Sequence, residues 1–218
     1  MLALINRAAA TGCLLLAGWA MSGCATAPAD PGVWVASTPG TVTTFSRRAS
    51  GSLGSGDVQV VWTIGPERTW NGRQVVPHAS PQAGTSLYDA TTRAYVAQLN
   101  PAGQPVVSFE PPIALPSPLV VGSAWRSKHT MTVHARQAKL PYEVAFKVEA
   151  FEDVSVPAGN FKAFRVVATN SFGEVDTRWW APAQNSLLVK RTVQRPASYP
   201  QGAGQLEAQL LSKTTPKQ

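Results

Sequence analysis

Apolar and polar residues alternate one by one along much of the chain beyond residue 40. The apolar members of the clearest runs are Val58, Val60, Trp62 and Ile64, and then Val144, Phe146 and Val148. Alternation of this kind places the apolar side chains on one face of a β-strand, because successive residues of a strand point to opposite faces. The pattern predicts strands with one buried face, and no run after the N-terminal segment has the spacing of an amphipathic helix.

Turn-forming residues separate the predicted strands. Asn71-Gly72 is a strong signal for a two-residue hairpin, because both residues adopt positive φ readily. A proline-rich loop is expected over residues 110–118, since proline cannot donate a hydrogen bond to a sheet. Other turns are predicted at 91–93, 100–103 and 156–161.

Many short strands joined by hairpin turns, without helices to form crossovers, predict an all-β domain built as one antiparallel meander. A sheet of this length must curl. We therefore expect a single strongly curved sheet, an open barrel or half-barrel, over residues 41–214. Its concave side is expected to carry Trp and Phe residues.

The N-terminal segment has a different composition. Arg7 is the only charged residue before Asp30, and residues 8–21 are apolar or small, a stretch too short for a permanent transmembrane helix. The stretch ends in Met21-Ser22-Gly23-Cys24, which resembles a bacterial lipoprotein signal: an aliphatic residue, two small residues and the cysteine that receives lipid.

This resemblance predicts a cleaved signal helix over residues 1–23, then a lipidated Cys24 and a flexible tether over 24–40. Several acyl chains on one cysteine, palmitate among them, would anchor the protein stably, because a single chain gives only marginal membrane binding. Ala25, where Asp would indicate the inner membrane, implies by the same resemblance the outer membrane, with the domain facing the periplasm. The alternative is an ordinary secretory signal cut near Ala25 or Ala27.

Charge and cysteine content limit the partners and the means of stabilisation. The chain has 19 Lys and Arg against 12 Asp and Glu, a formal net charge of +7. This balance suits an anionic neighbour such as lipid phosphate, but no block of five like charges appears, so a generic basic surface explains it equally well. Cys13 and Cys24 are the two cysteines. A chain that begins at Cys24 therefore has no disulfide and depends on its hydrophobic core.

A second resemblance lies in the C-terminal half. Residues 156–161 read V-P-A-G-N-F, residues 179–182 read W-W-A-P and residues 189–191 read V-K-R. Together these elements resemble a group of bacterial secreted and lipoprotein domains of unknown function that share a V-P-A-G-x-F turn and a later W-[YW]-A-P…V-K-R element. The resemblance implies a curved antiparallel sheet and an envelope location, and it brings no catalytic residues.

Four aromatic residues are the candidate ligand-binding residues. Trp179 and Trp180 are neighbours on one predicted strand and point to opposite faces, so one of them is expected to pack in the core while the other contributes to a ligand-facing floor. Packing alone is the alternative for both. The full candidate set is Trp125, Phe161, Trp179 and Trp180.

Catalytic, metal and cofactor motifs are absent from the sequence. His129 and His134 lie five apart on one predicted strand, which makes them face opposite ways and unsuited to a shared metal. We therefore expect no enzyme, cofactor, metal or nucleic-acid partner, and a binding module for an amphipathic envelope molecule or a protein partner. The alternatives are a structural scaffold or an envelope hydrolase that uses these histidines or the carboxylates of Glu149, Glu152 and Asp153.

Overall fold

The structure, a computed structural model, describes residues 38–115, 117–184 and 186–217. The predicted signal, Cys24 and most of the tether lie outside the described residues. No helix within these ranges is long and apolar enough to cross a membrane. The strands are β1 (Val42–Gly51), β2 (Gly56–Ile64), β3 (Arg68–Trp70), β4 (Arg73–Ser80), β5 (Gly84–Asp89), β6 (Tyr95–Leu99), β7 (Pro105–Ile113), β8 (Ala124–Val133), β9 (Ala138–Val156), β10 (Gly159–Asn170), β11 (Val175–Ala181), β12 (Leu187–Arg195) and β13 (Gly204–Thr214).

The strands form one antiparallel sheet that closes on itself. From β3 to β13 every strand pairs with the next one in the chain, and β1 and β2 complete the sheet beyond β13. The pairing of β1 with β13 begins at Val42 opposite Thr214. The ring is then closed where β2 meets β4, with Ile64 opposite His78. Twelve strands therefore form a barrel, and β3 stands outside the ring as the hairpin partner of β4.

The closed ring confirms the predicted all-β class and antiparallel meander but shows that the predicted open barrel or half-barrel is wrong. The closing contact between β2 and β4 is two residue pairs long, Thr63 with Ala79 and Ile64 with His78. So short a contact leaves no pattern in the sequence. In the sequence β3 lies between β2 and β4, so a simple meander would pair β2 with β3. The pairing of β2 with β4 therefore cannot be predicted from strand order.

The turn at Asn71-Gly72 is confirmed, with φ of 48° and 76° at the two residues. The proline loop is only partly confirmed, because β7 continues through Pro111 and Pro112. These prolines lie beyond Glu110, the last residue of β7 that pairs with β8. The missing N–H groups are therefore not needed by the β7–β8 ladder at these positions.

Electrostatic contacts across the ring identify the face of the sheet that points to the interior. Burial lowers the pKa of Arg178, but Asp176 raises it above its ordinary value, and Tyr88 and Tyr95 add to the rise. Arg178 lies on β11, whereas the tyrosines lie on β5 and β6, several strands away in the ring. Groups so far apart along the wall approach each other only across the inside of the barrel, so all three side chains point inward.

Apolar side chains form separate clusters in the barrel wall. One cluster shares the inward face of Arg178, since Val166 stands directly opposite Arg178 in the β10–β11 register. It consists of Leu119, Val144, Phe146, Val148, Phe164 and Val166. A second contains Phe45, Val154, Val156, Ala163, Ala181, Leu187, Val189 and Leu210. A third contains Val75, Leu87, Val96, Ala97 and Leu99, with Trp70 packed against it.

Candidate functional site

A continuous row of aromatic rings runs from β4 to the loop between β12 and β13, and it includes the inward-pointing Tyr88 and Tyr95. Each ring lies next to the following one, with centroids separated by 4.6 Å at the closest and 6.1 Å at the widest. The row includes all 4 tyrosines of the chain. Its members, called the aromatic row below, are His78, Tyr88, Tyr95, Phe109, Tyr142, Phe172 and Tyr199.

The rings of the aromatic row border open space. Phe109 is buried, whereas the other residues of the row are only partly buried, including Tyr88 and Tyr95, which point into the barrel. Close packing would bury them, as it does in an ordinary core. Burial raises the pKa of Tyr142 to about 12 and also raises that of Tyr95. Both phenols are therefore neutral at physiological pH, and the Tyr95 hydroxyl donates to Gln98 Oε1 at 3.3 Å.

Asp176 is the buried acidic centre of the site. Its carboxylate accepts hydrogen bonds from Arg178 Nη2 at 2.6 Å and from Arg191 Nη2 at 2.9 Å, with the Nε atoms of both arginines adding a bond each. Burial alone would raise the pKa of Asp176, but the charges and hydrogen bonds of the two guanidinium groups hold it well below its usual range. One carboxylate therefore anchors two cations.

A third arginine lies in the same row across the strands. Arg178 stands opposite Arg191 in the β11–β12 register, Arg191 opposite Ala208, and Ala208 opposite Arg47 on β1. Paired residues share a face of a sheet, so Arg47 points inward with the other two. Burial and the neighbouring charge of Arg191 lower the pKa of Arg47. We call Arg47, Arg178 and Arg191 the arginine row.

A neighbouring ion pair contacts the end of the aromatic row. Arg195 on β12 pairs with Glu174, and its guanidinium lies 4.4 Å from the ring centroid of Tyr199, the last member of the aromatic row. This pair is balanced in charge. The interior thus combines ring faces, phenol hydroxyls and guanidinium groups, which is a surface suited to a molecule with both apolar and anionic parts.

Protonation of His78 is expected to destabilise the barrel in mild acid. Burial, and then the charge of Arg93, lower the pKa of His78 from 6.5 to about 4. Between these values the unfolded chain binds a proton that the folded chain does not, so stability falls as the pH falls. The expected loss between pH 7 and pH 5 is about 2 kcal/mol. Urea denaturation of the wild type and of His78→Gln at both pH values measures it. The variant is expected to lose much less, and equal losses would contradict the shifted pKa.

The structure divides the four predicted ligand-binding residues between two apolar clusters. Trp125 stacks on Phe146 with ring centroids 4.8 Å apart, and Trp180 packs against the same cluster. Phe161 and Trp179 pack against the other cluster. Trp179 and Trp180, which are predicted to point to opposite faces, pack against different clusters, and the four residues do not form one site.

Trp179 belongs to a network of charged side chains on its own face. Its Nε1 donates to Glu152 Oε1 at 2.8 Å, and Lys190 lies 5.3 Å from its ring centroid. Arg165 pairs with Glu149 and Glu152. These carboxylates, which the sequence offered as hydrolase candidates, are thus engaged by cations and by an indole. Asp153, the third of them, pairs with Lys162.

The histidines have polar partners other than carboxylates in the described part of the chain. His129 is buried, and its Nδ1 lies 2.6 Å from the carbonyl oxygen of Pro111 while its Nε2 lies 2.7 Å from Ser127 Oγ. His134 bonds Ser108. The prediction that both histidines lie on one strand is wrong, because β8 ends at Val133 and His134 begins the 3-10 turn His134–Arg136. In the described ranges no group of three or more His, Cys, Asp or Glu could hold a metal.

An open groove of about 380 Å³ lies along β1, β2 and β13. Most of its polar lining comes from the outward face of these strands, including Arg48 and Asp57, which form a salt bridge with each other at 2.8 Å. Glu207 at the same groove pairs with Lys190. Arg47, which points inward, also lines the groove, but the charged side chains on its outward face already pair with partners.

The arginine row was not identified from the sequence. Asp176 and Arg178 alternate with Val175 and Thr177 on β11, and such an alternation is ordinarily taken as polar-out and apolar-in. The available signal was an acid and a base two residues apart, with a further arginine at 191 on the next strand. This signal shows that the side chains share a face, but not that the face is internal.

No protein-family model and no curated protein matches the chain. Solved structures show a weak likeness. A protein described as exported and as having a YmcC-like fold, from Bacteroides fragilis, is 12% identical with a TM-score of 0.49, and the match covers 84% of this chain and 99% of that one. A protein described as a lipoprotein, from Parabacteroides distasonis, is 12% identical with a TM-score of 0.40 over 81% and 96% of the two chains. The hypothetical lipoprotein YmcC from Escherichia coli is 11% identical with a TM-score of 0.42 over 80% and 85%. At these scores the likeness establishes neither a shared fold nor a shared function.

Proposed function

We propose that the protein is an outer-membrane lipoprotein, anchored through Cys24 with its barrel in the periplasm, and that the barrel interior binds an amphipathic envelope molecule without converting it chemically. The anchor rests on the signal-like sequence that ends at Cys24. The binding role rests on the aromatic row. Rings that face inward yet keep accessible surface form an apolar wall that a ligand can cover, and covering that wall removes apolar surface from water.

Native mass spectrometry tests the binding role directly. The full chain with Cys24→Ser, which cannot be lipidated, is purified gently from the bacterial envelope and measured with and without denaturation. A reproducible added mass that disappears on denaturation is the expected result. Tyr88→Ala removes an inward ring and is expected to lower the fraction that carries this mass.

Val120→Ala is the matched control, because Val120 is 52% exposed and lies outside the strands. It is expected to retain the added mass as the wild type does. A bare protein mass for all three proteins would overturn the binding role and favour a scaffold that contacts envelope proteins. The anchor has its own test: the protein extracted from membranes is expected to begin at Cys24 and to carry acyl mass there.

A hydrolase is the second candidate, and one contact favours it. His129 Nε2 lies 2.7 Å from Ser127 Oγ, and the Pro111 carbonyl holds the opposite ring nitrogen. A serine next to an oriented histidine is the beginning of a nucleophile–base pair. Labelling of the wild type by a fluorophosphonate, with no labelling of Ser127→Ala, would support this candidate. We expect no labelling of either protein.

A further inference from the structure

The arginine row carries more positive charge than its surroundings balance. Asp176 is the carboxylate that contacts Arg178 and Arg191. In the ranges that the structure describes, Arg47 forms no salt bridge, and its Nη2 donates instead to the carbonyl oxygen of Leu53. Among the described residues, the three guanidinium groups of the row therefore have one carboxylate partner, which contacts two of them. Like charges held together in a partly buried place repel each other unless an anion joins them.

The geometry brings the unbalanced groups to one place. Ala208 stands between Arg191 and Arg47 in the register, so the two long side chains lie on the same face of the sheet with a methyl group between them. Arg191 keeps 36% of its side-chain surface and Arg178 keeps 32%, so donors on both remain accessible while Asp176 holds the two side chains in position. Preorganised guanidinium groups bind oxyanions well, because their planar donor pairs match two oxygens at once.

We propose that Arg47, Arg191 and Arg178 form a binding site for a phosphate group, and that this site receives the anionic head of the amphipathic ligand. The proposal rests on the proposed binding function and names its ligand class. A phosphomonoester is close to a dianion at neutral pH, which matches the surplus of two charges better than a carboxylate does. The aromatic row lies across the interior from Arg178, where Tyr88 and Tyr95 face it, and would contact the apolar part of the same molecule.

Isothermal titration calorimetry of the full Cys24→Ser chain, with three probes, tests the proposal. Octyl phosphate has both a tail and an anion, octyl glucoside has the tail without charge, and inorganic phosphate has the anion without a tail. Octyl phosphate is expected to bind most tightly. Arg47→Gln is expected to weaken it by about 10-fold or more, since one charge-assisted contact is lost, and Arg47→Lys by less.

Arg48→Gln is the matched control. Arg48 is the next residue of β1, points to the opposite face and pairs with Asp57, so the same change of charge there is expected to leave octyl phosphate binding unchanged. Octyl glucoside is expected to bind wild type and Arg47→Gln alike.

The outcomes separate the phosphate site from the binding function. Equal affinity for octyl phosphate and octyl glucoside, with no effect of Arg47→Gln, would overturn the phosphate site and leave the binding function standing. Binding of inorganic phosphate that depends on Arg47, with no gain from either tail, would support an anion site for free phosphate and overturn the amphipathic ligand. No binding of any probe would overturn both.

Discussion

Replacement of Asp176 by asparagine is expected to lower the free energy of unfolding by about 3 kcal/mol. The variant keeps the size of the side chain but removes the one carboxylate that Arg178 and Arg191 share. Uncompensated buried charges are strongly destabilising, and the effect is placed at the low end of the usual range because both guanidinium groups remain partly accessible to water. Urea denaturation at neutral pH measures the change.

The control for this variant is Asp57→Asn, which breaks the exposed pair with Arg48 and is expected to leave the urea midpoint nearly unchanged. The pH dependence gives a second check. Because the pKa of Asp176 is lower in the folded chain, its contribution is present above the ordinary aspartate pKa of 3.8 and is lost as the pH falls from there towards the lowered pKa. The stabilities of wild type and Asp176→Asn are therefore expected to converge in acid. A constant difference at all pH values would show that the charge of Asp176 is not the cause.

Replacement of Phe164 by alanine is expected to lower the free energy of unfolding by about 4 kcal/mol. The side chain is 1% exposed, and its ring lies 4.5 Å from that of Phe151 in the apolar cluster that holds β9 against β10. The variant loses the favourable free energy of transferring the phenyl ring from water to the core. It also contains a cavity, because the surrounding strands are fixed by their hydrogen bonds. Equilibrium unfolding in urea measures the loss.

Phe161→Ala is the matched comparison, because it makes the same chemical change three positions earlier on β10, at a residue that is only half-buried. We expect it to cost about half as much. If both variants lost the same stability, the burial of Phe164 would not be what sets its contribution.

Strand positions and turns could be predicted because they depend on local pattern. The alternation of Val144, Phe146 and Val148 marks an inward face of β9, and all three residues are buried. Asn71-Gly72 adopts the positive φ values that its residue types favour. Each of these features is decided within a few residues, so one sequence is sufficient to recognise it.

The direction in which each face points could not be predicted in the same way. It depends on how many strands close the ring, and the ring is wide because β2 meets β4 rather than β3. In a barrel of this strand number the side chains do not reach far enough to fill the interior, so polar groups such as Asp176 and Arg178 can point inward. Trp and Phe residues are expected on the concave side. Tyrosines of the aromatic row take part of their place, because a wide interior also accommodates side chains that carry a polar group.

The pairing of β1 with β13 has a consequence for how the chain reaches this structure. Ser46 on β1 bonds Gln209 on β13, a contact that joins residues 163 positions apart, whereas from β3 to β13 each strand meets its successor in the chain. The hairpins can form early from local contacts, but this seam waits until the two ends of the chain find each other, and such non-local contacts slow folding. Until then β1 and β13 both expose unpaired backbone to other chains. The pairing of β1 with β13 is therefore the step that converts a sheet prone to association into a closed barrel.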